Sequence, residues 1–234
     1  MNTYRKTAIA VGILFLVCTA ASILSFPLTG SILEDQDYLV KLSLNATSVT
    51  IGALIEFIWA AAGAGIAIGL YPLLKKYNEA LALGSVGFRV VEGVVVLIGT
   101  LSLLSLLTLS QEFIAVGVSG AATFQTTGML LLALRDWQLH VISGLAFSLG
   151  ALMYYVVFYQ SKLIPQWLSG WGVLGAALSV TATVMASFTQ DFGMESVHTY
   201  LSIPIGVNEL VLAMWLLMKG FNPSAIASLP AQAE

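Results

Sequence analysis

Six stretches of this chain are apolar for about twenty residues or more at a time, and no other feature limits its fold as strongly. They run from about Thr7 to Phe26, Val49 to Leu74, Ala80 to Leu109, Leu139 to Phe158, Leu168 to Phe188 and Leu201 to Met218. A helix rising about 1.5 Å per residue crosses a hydrocarbon core of ~30 Å in ~20 residues, so each run is long enough to span a bilayer. The runs are continuous and have no period of two, which argues against membrane strands; in lipid a helix satisfies its own backbone. Only 9% of the 234 residues are charged, against ~25% in a soluble domain, so most side chains must face lipid or other helices. The second and third runs exceed the core and are expected to tilt or project beyond it.

The expected fold is therefore all-α: a polytopic membrane protein, a six-transmembrane-helix bundle forming one domain over residues 1–221. Residues 222–234 are polar, contain Pro223 and Pro230, and are expected to form a loose cytoplasmic tail. With both termini cytoplasmic, Arg5, Lys6, Lys75, Lys76, Lys162 and Lys219 lie inside and Lys41 and Arg135 outside. That is the asymmetry of the positive-inside rule. A rival topology makes Val116 to Leu134 a seventh span, which weakens that asymmetry. The six-span reading instead places 111–135 as an outer interfacial segment. Arg5 and Lys6 before an apolar run also suit a signal peptide, but the run is longer than such a segment needs, and an uncleaved helix is expected.

Four charges lie inside the spans: Glu56, Arg89, Glu92 and Glu209. A charge at bilayer depth costs at least ~2.5 kcal/mol on insertion scales, so it needs a partner or a purpose. Counting along each helix puts Glu56 ~11 Å below the outer boundary and Glu92 and Glu209 ~12 Å below it. Three carboxyl groups from three helices thus share a depth. Arg89, three residues before Glu92, faces the same side one turn deeper. One arginine cannot neutralise three glutamates. Asn208 adds an amide beside Glu209, and Pro204 frees a backbone carbonyl near the layer. His140 lies towards the outer end of the fourth span and is the last candidate.

These residues fit two descriptions. They are either a hydrogen-bonded clasp between helices or a ligand and proton site. Enzyme signatures are missing: there is no His-Glu-x-x-His pair, no Gly-x-Ser-x-Gly elbow and no Walker loop. Two histidines and one cysteine, Cys18, are too few for the usual metal sites. A net charge of −3 with no basic stripe gives no reason to expect nucleic acid. No catalytic residue, metal or cofactor is expected.

Several short motifs, in order, carry a resemblance. They are Leu70-Tyr71-Pro72-Leu73-Leu74-Lys75, Phe88-Arg89-Val90-Val91-Glu92, and Ser161-Lys162-Leu163-Ile164-Pro165 running into Trp167-Leu168-Ser169. Pro204-Ile205-Gly206 with Glu209, and Trp215-Leu216-Leu217 with Lys219-Gly220-Phe221, complete the set. Over nearly its whole length the chain resembles a prokaryotic family of integral membrane proteins catalogued as a domain of unknown function. The resemblance implies a small helical bundle in the cytoplasmic membrane of a prokaryote and brings no activity with it.

The leading expectation is a binding or translocation site for a small polar solute or cation, with or without proton linkage. Glu56, Glu92 and Glu209 would be acidic ligands or proton carriers, Arg89 their counter-charge, and Asn208 and His140 neighbours. The alternative is a non-enzymatic assembly or accessory subunit of a membrane complex, with the charges as a clasp and a second membrane protein as partner. A weaker one is an intramembrane hydrolase using a glutamate or His140 with a metal.

Overall fold

The computed structural model describes residues 3–116, 121–193 and 196–228. In order the elements are α1 (Thr3–Ser25), a π-helical turn (Phe26–Gly30), α2 (Ser31–Leu33), α3 (Tyr38–Leu44), α4 (Ala46–Leu74), α5 (Glu79–Val116) and α6 (Ala121–Asp136). A second π-helical stretch (Trp137–Ser143), α7 (Gly144–Ser161), α8 (Gln166–Thr189), α9 (Val197–Met218) and α10 (Pro223–Ala227) follow. No strand occurs among the described residues. Six helical stretches are long and apolar enough to cross a membrane: Thr3–Leu33, Ala46–Leu74, Glu79–Val116, Ala121–Ser161, Gln166–Thr189 and Val197–Met218.

The spans are apolar on both faces, as helices surrounded partly by lipid must be. Leu54, Ile68, Leu101, Leu174 and Phe188 point outward and exposed, while Val11, Phe15, Ile66, Tyr154, Phe158 and Leu212 are buried. Each span packs on the next in chain order: α1 on α4, α4 on α5, α5 on α7, α7 on α8 and α8 on α9. The last closes back on the first, α9 on α1. The result is a closed ring of six helices. Lipid gives little hydrophobic drive between helices, so close packing has to supply it, and small residues allow the approach. A Cβ added at Gly93 would sit 3.1 Å from the Ala60 carbonyl oxygen, and one at Gly175 would sit 3.1 Å from the Ile205 backbone. Those two glycines set how near α5 comes to α4 and α8 to α9.

The first and last described residues lie at one end of the ring. There the Arg5 guanidinium donates to the Leu216 and Leu217 carbonyls, at 3.0 and 2.6 Å, among the last carbonyls of α9, which lack intrahelical donors. Arg5, Lys6, Lys75, Lys76, Lys162 and Lys219 all belong to this basic end. The opposite end is acidic, with Glu34, Asp35, Asp37, Glu112 and Asp191, and it is taller. With 38 residues, α5 is ~57 Å long, about twice the hydrocarbon thickness. It pairs with α6, and α2 and α3 tuck Leu33 and Leu42 against Leu103, Leu106 and Leu107.

Two parts of the chain differ from the expectation. Residues 111–135 are no separate connector. Residues 111–116 complete α5, and α6 continues through the π-helical stretch into α7; residues 117–120 lie outside the described residues. The polar tail is also partly ordered. Asn222 caps α10 by accepting from the Ser224 N–H at 3.1 Å. Ala225 is buried, and its carbonyl accepts from the Tyr77 hydroxyl at 2.7 Å. A proline at the first helical position favours such a short helix.

Candidate functional site

The buried charges sort into two clusters, and the first includes a residue that sequence reasoning had placed in an outer loop. Arg135, at the end of α6, is buried, and its guanidinium meets Glu56 of α4. The contact is a fork: Nη2 to Oε1 at 2.5 Å and Nη1 to Oε2 at 3.3 Å. Nη1 also donates to the Gly99 carbonyl at 2.8 Å, and the Thr100 hydroxyl reaches Oε2 at 2.6 Å. No buried polar atom of Glu56 or Arg135 lacks a partner. One plus and one minus in bidentate contact is the geometry in which a buried pair repays its desolvation.

The second cluster is neither balanced nor saturated. Arg89 of α5 is fully buried. Its Nε donates to the Gly63 carbonyl of α4 at 3.3 Å, and its guanidinium lies 5.0 Å over the Phe147 ring of α7. Gly150 makes room for the side chain, since a Cβ there would sit 3.0 Å from Arg89 Cγ. Glu92, on the same face one turn on, approaches Nη1 at 2.8 Å, but without the alignment of a hydrogen bond. Both Nη atoms of Arg89 and Oε2 of Glu92 are buried without a hydrogen-bond partner. Glu209 of α9 is within electrostatic reach of Arg89 and Glu92, and accepts from the Tyr154 hydroxyl at 3.0 Å. Two carboxyl groups therefore lie near one guanidinium, and of the two only Glu92 forms an ion pair with it.

Glu92 and Glu209 line a cavity of about 240 Å³ towards the acidic end. Its wall is mostly apolar, with Trp59, Leu139, Phe147 and Ile205, and polar groups are set into it from Thr19 and Ser22 of α1, Ser143, Ser179, Ser202 of α9 and both histidines. His140 comes from the π-helical stretch, whose wider turn re-aims side chains and recurs at functional sites. It stacks on Phe192 at 5.1 Å and meets His198 edge-on at 6.1 Å. Phe192, in the connection before α9, also packs edge-on against Trp137, so its ring bridges Trp137 and His140.

Of the expected site residues, the fold brings Arg89, Glu92, Glu209 and His140 to one place. Glu56 shares their depth but turns to Arg135. Asn208 does not face the cavity. Its amide donates to the Leu168 carbonyl at 3.0 Å, tying α9 to α8. Among the described residues, no three histidine, cysteine, aspartate or glutamate side chains converge as a metal site would require.

A family model for a domain of unknown function, DUF4386, matches residues 10–220. The chain belongs to the DUF4386 family. Every residue of both clusters falls inside the match. No curated protein and no solved structure gives a significant match.

Sequence reasoning missed four residues of this DUF4386 chain: Arg135, Thr100, Tyr154 and His198. The charge count held a clue to the first, because three glutamates and one arginine called for a second cation. Tyr154 is half of a Tyr-Tyr pair in mid-span, where a hydroxyl needs an acceptor. Thr100 looks like any helix threonine. Nothing in sequence spacing brings His198 to His140, which depends on how α8 and α9 return.

Proposed function

We propose that this protein binds a small cation or cationic polar solute in the cavity lined by Glu92 and Glu209, in exchange with protons. The observation that carries this reading is the unequal charge on the cavity wall. Two carboxyl groups lie near one guanidinium, Arg89 Nη2 has no hydrogen-bond partner, and Nη1 meets Glu92 Oε2 only as an ion pair. A buried polar group left unbonded costs ~1–3 kcal/mol, a cost that water, a proton or a ligand in the cavity would offset. An excess of buried acid favours a positive occupant. Glu92 and Glu209 would be its ligands or proton carriers, and Arg89 would limit the net charge of the site. His140 and His198, with Phe192 over them, would stand at the mouth.

The proposed setting is a multi-pass protein of a prokaryotic cytoplasmic membrane, with the basic end inside and the cavity reached from outside. In this reading the site lies within the membrane, where binding and translocation share one geometry. The alternative, an accessory subunit whose charges only hold helices together, draws support from the closed Glu56–Arg135 pair.

The test is the melting temperature of the purified protein across sodium, lithium, magnesium and ethanolammonium chlorides at several pH values. For the wild type a cation of this panel should raise it, less so as pH falls and protons compete. Glu209→Gln should fold and lose that response. If no cation discriminates the wild type from Glu209→Gln at any pH, the site is a clasp and the accessory reading replaces this one.

A further inference from the structure

We infer that a second cavity, at the basic end of the ring, binds the phosphate group of an anionic ligand. This cavity, about 510 Å³, lies where the α7–α8 connection meets the α9–α10 connection. Asn222 fastens the two. Its N–H donates to the Leu163 carbonyl at 2.8 Å and its side-chain amide to the Lys162 carbonyl at 3.2 Å. The lining holds two cations, Lys162 and Lys219, and no acidic residue. Neither lysine has an ion-pair partner among the described residues.

Three further features fit an anion. Lys162 ends α7 in the left-handed conformation, at φ 54 and ψ 25. Glycine is the usual residue at such an end because it has no Cβ to crowd the carbonyl. A lysine here keeps a strained backbone and gains an ammonium group at the cavity. Gln166, which begins the 24-residue α8, also lines the cavity, and no side chain caps that helix. Its first amides add a favourable field for an anion. Trp215 in the wall packs edge-on against Trp167 at 6.5 Å, an arrangement suited to the level of lipid headgroups. The phosphate could come from an anionic phospholipid, abundant in a cytoplasmic leaflet, or from a soluble phosphate compound. The recognising chemistry is the same, and it is separate from the acidic cavity at the other end.

Native mass spectrometry of the full chain in non-ionic detergent would compare retention of phosphatidylglycerol with that of phosphatidylcholine. Melting temperature would be followed in parallel in inorganic phosphate against chloride at equal ionic strength. The wild type should prefer phosphatidylglycerol by about tenfold or more, given two lysines at the headgroup. Lys162→Gln with Lys219→Gln should lose the preference, and Lys41→Gln, at the far end, should keep it. Lys162→Gly is the sharpest variant: it should weaken lipid retention while melting at the same or a higher temperature, because it relieves the backbone. A response to inorganic phosphate alone, with the same lysine dependence, would identify a soluble ligand of the same site. Unchanged preference in the double variant without such a response, or equal loss in Lys41→Gln, would overturn the proposal.

Discussion

Glu56–Arg135 and Arg89–Glu92–Glu209 are buried in the same ring, and both use α5, yet they are built on opposite terms. The first is closed. Its guanidinium is forked onto the carboxylate, and a threonine hydroxyl and a backbone carbonyl bind the same two groups. The second has two acids to one base, an ion pair without hydrogen-bond alignment, and orphaned atoms beside a cavity. Burial of charge therefore does not by itself mark a site. Imbalance, unmet bonding capacity and access to a space do.

That contrast can be broken by mutation. The largest loss of stability should come from Glu56→Gln, which leaves Arg135 buried without its counter-charge, a cost of about 3–5 kcal/mol. The double variant Glu56→Leu/Arg135→Met should recover most of it, because an apolar pair can replace a closed salt bridge. Unfolding in mixed micelles would measure both. If the double variant stays as unstable as the single one, the pair is not a self-contained clasp.

A smaller loss, about 0.6–1.5 kcal/mol, is expected for Tyr154→Phe, which removes the one hydroxyl donated to Glu209. Smaller still should be the effect of Glu209→Gln on unfolding, within about 0.5 kcal/mol, since it removes surplus acid while a neutral amide can keep the tyrosine bond. A loss as large as that of Glu56→Gln would make the two clusters equivalent and erase the distinction.

The smallest effect belongs to a partly exposed pair that serves as a control. The Lys41 ammonium, hydrogen-bonded to Asp35, holds that carboxyl below its ordinary value. What stability it contributes is present above the ordinary carboxyl range and is lost as pH falls through the depressed value. Lys41→Ala should move Asp35 up towards ordinary titration, followed by carboxyl NMR, with the Asp37 N–H keeping part of the shift, and without measurable change in unfolding. A measurable change would mean that the acidic end is more tightly coupled to the ring than its exposure implies.

Much of this arrangement could be read from the chain. The six spans follow from hydrophobic run length, which depends only on bilayer thickness. Arg89 with Glu92 follows from helical periodicity, and the common depth of Glu92 and Glu209 from counting along helices. Rotation about each helix axis could not be read, because spans apolar all round have no face to betray them. That is why Glu56 seemed to belong with Glu92, and why Asn208 seemed to face the cavity rather than Leu168. Arg135 was misplaced for another reason. A cation after an apolar segment looks like a loop residue until α6 is seen to run unbroken into the fourth span.

The two clusters also differ in the order in which a ribosome delivers them. Arg89 and Glu92 sit three residues apart and enter the bilayer together, each offsetting the other before α9 exists. Glu56 precedes Arg135 by 79 residues. At ~5–20 residues per second, its helix waits ~4–16 s for the only cation that will pair with it. During biogenesis the cluster that ends as the more secure is the one that begins exposed, and the nascent chain is most vulnerable to misinsertion or proteolysis before Arg135 emerges.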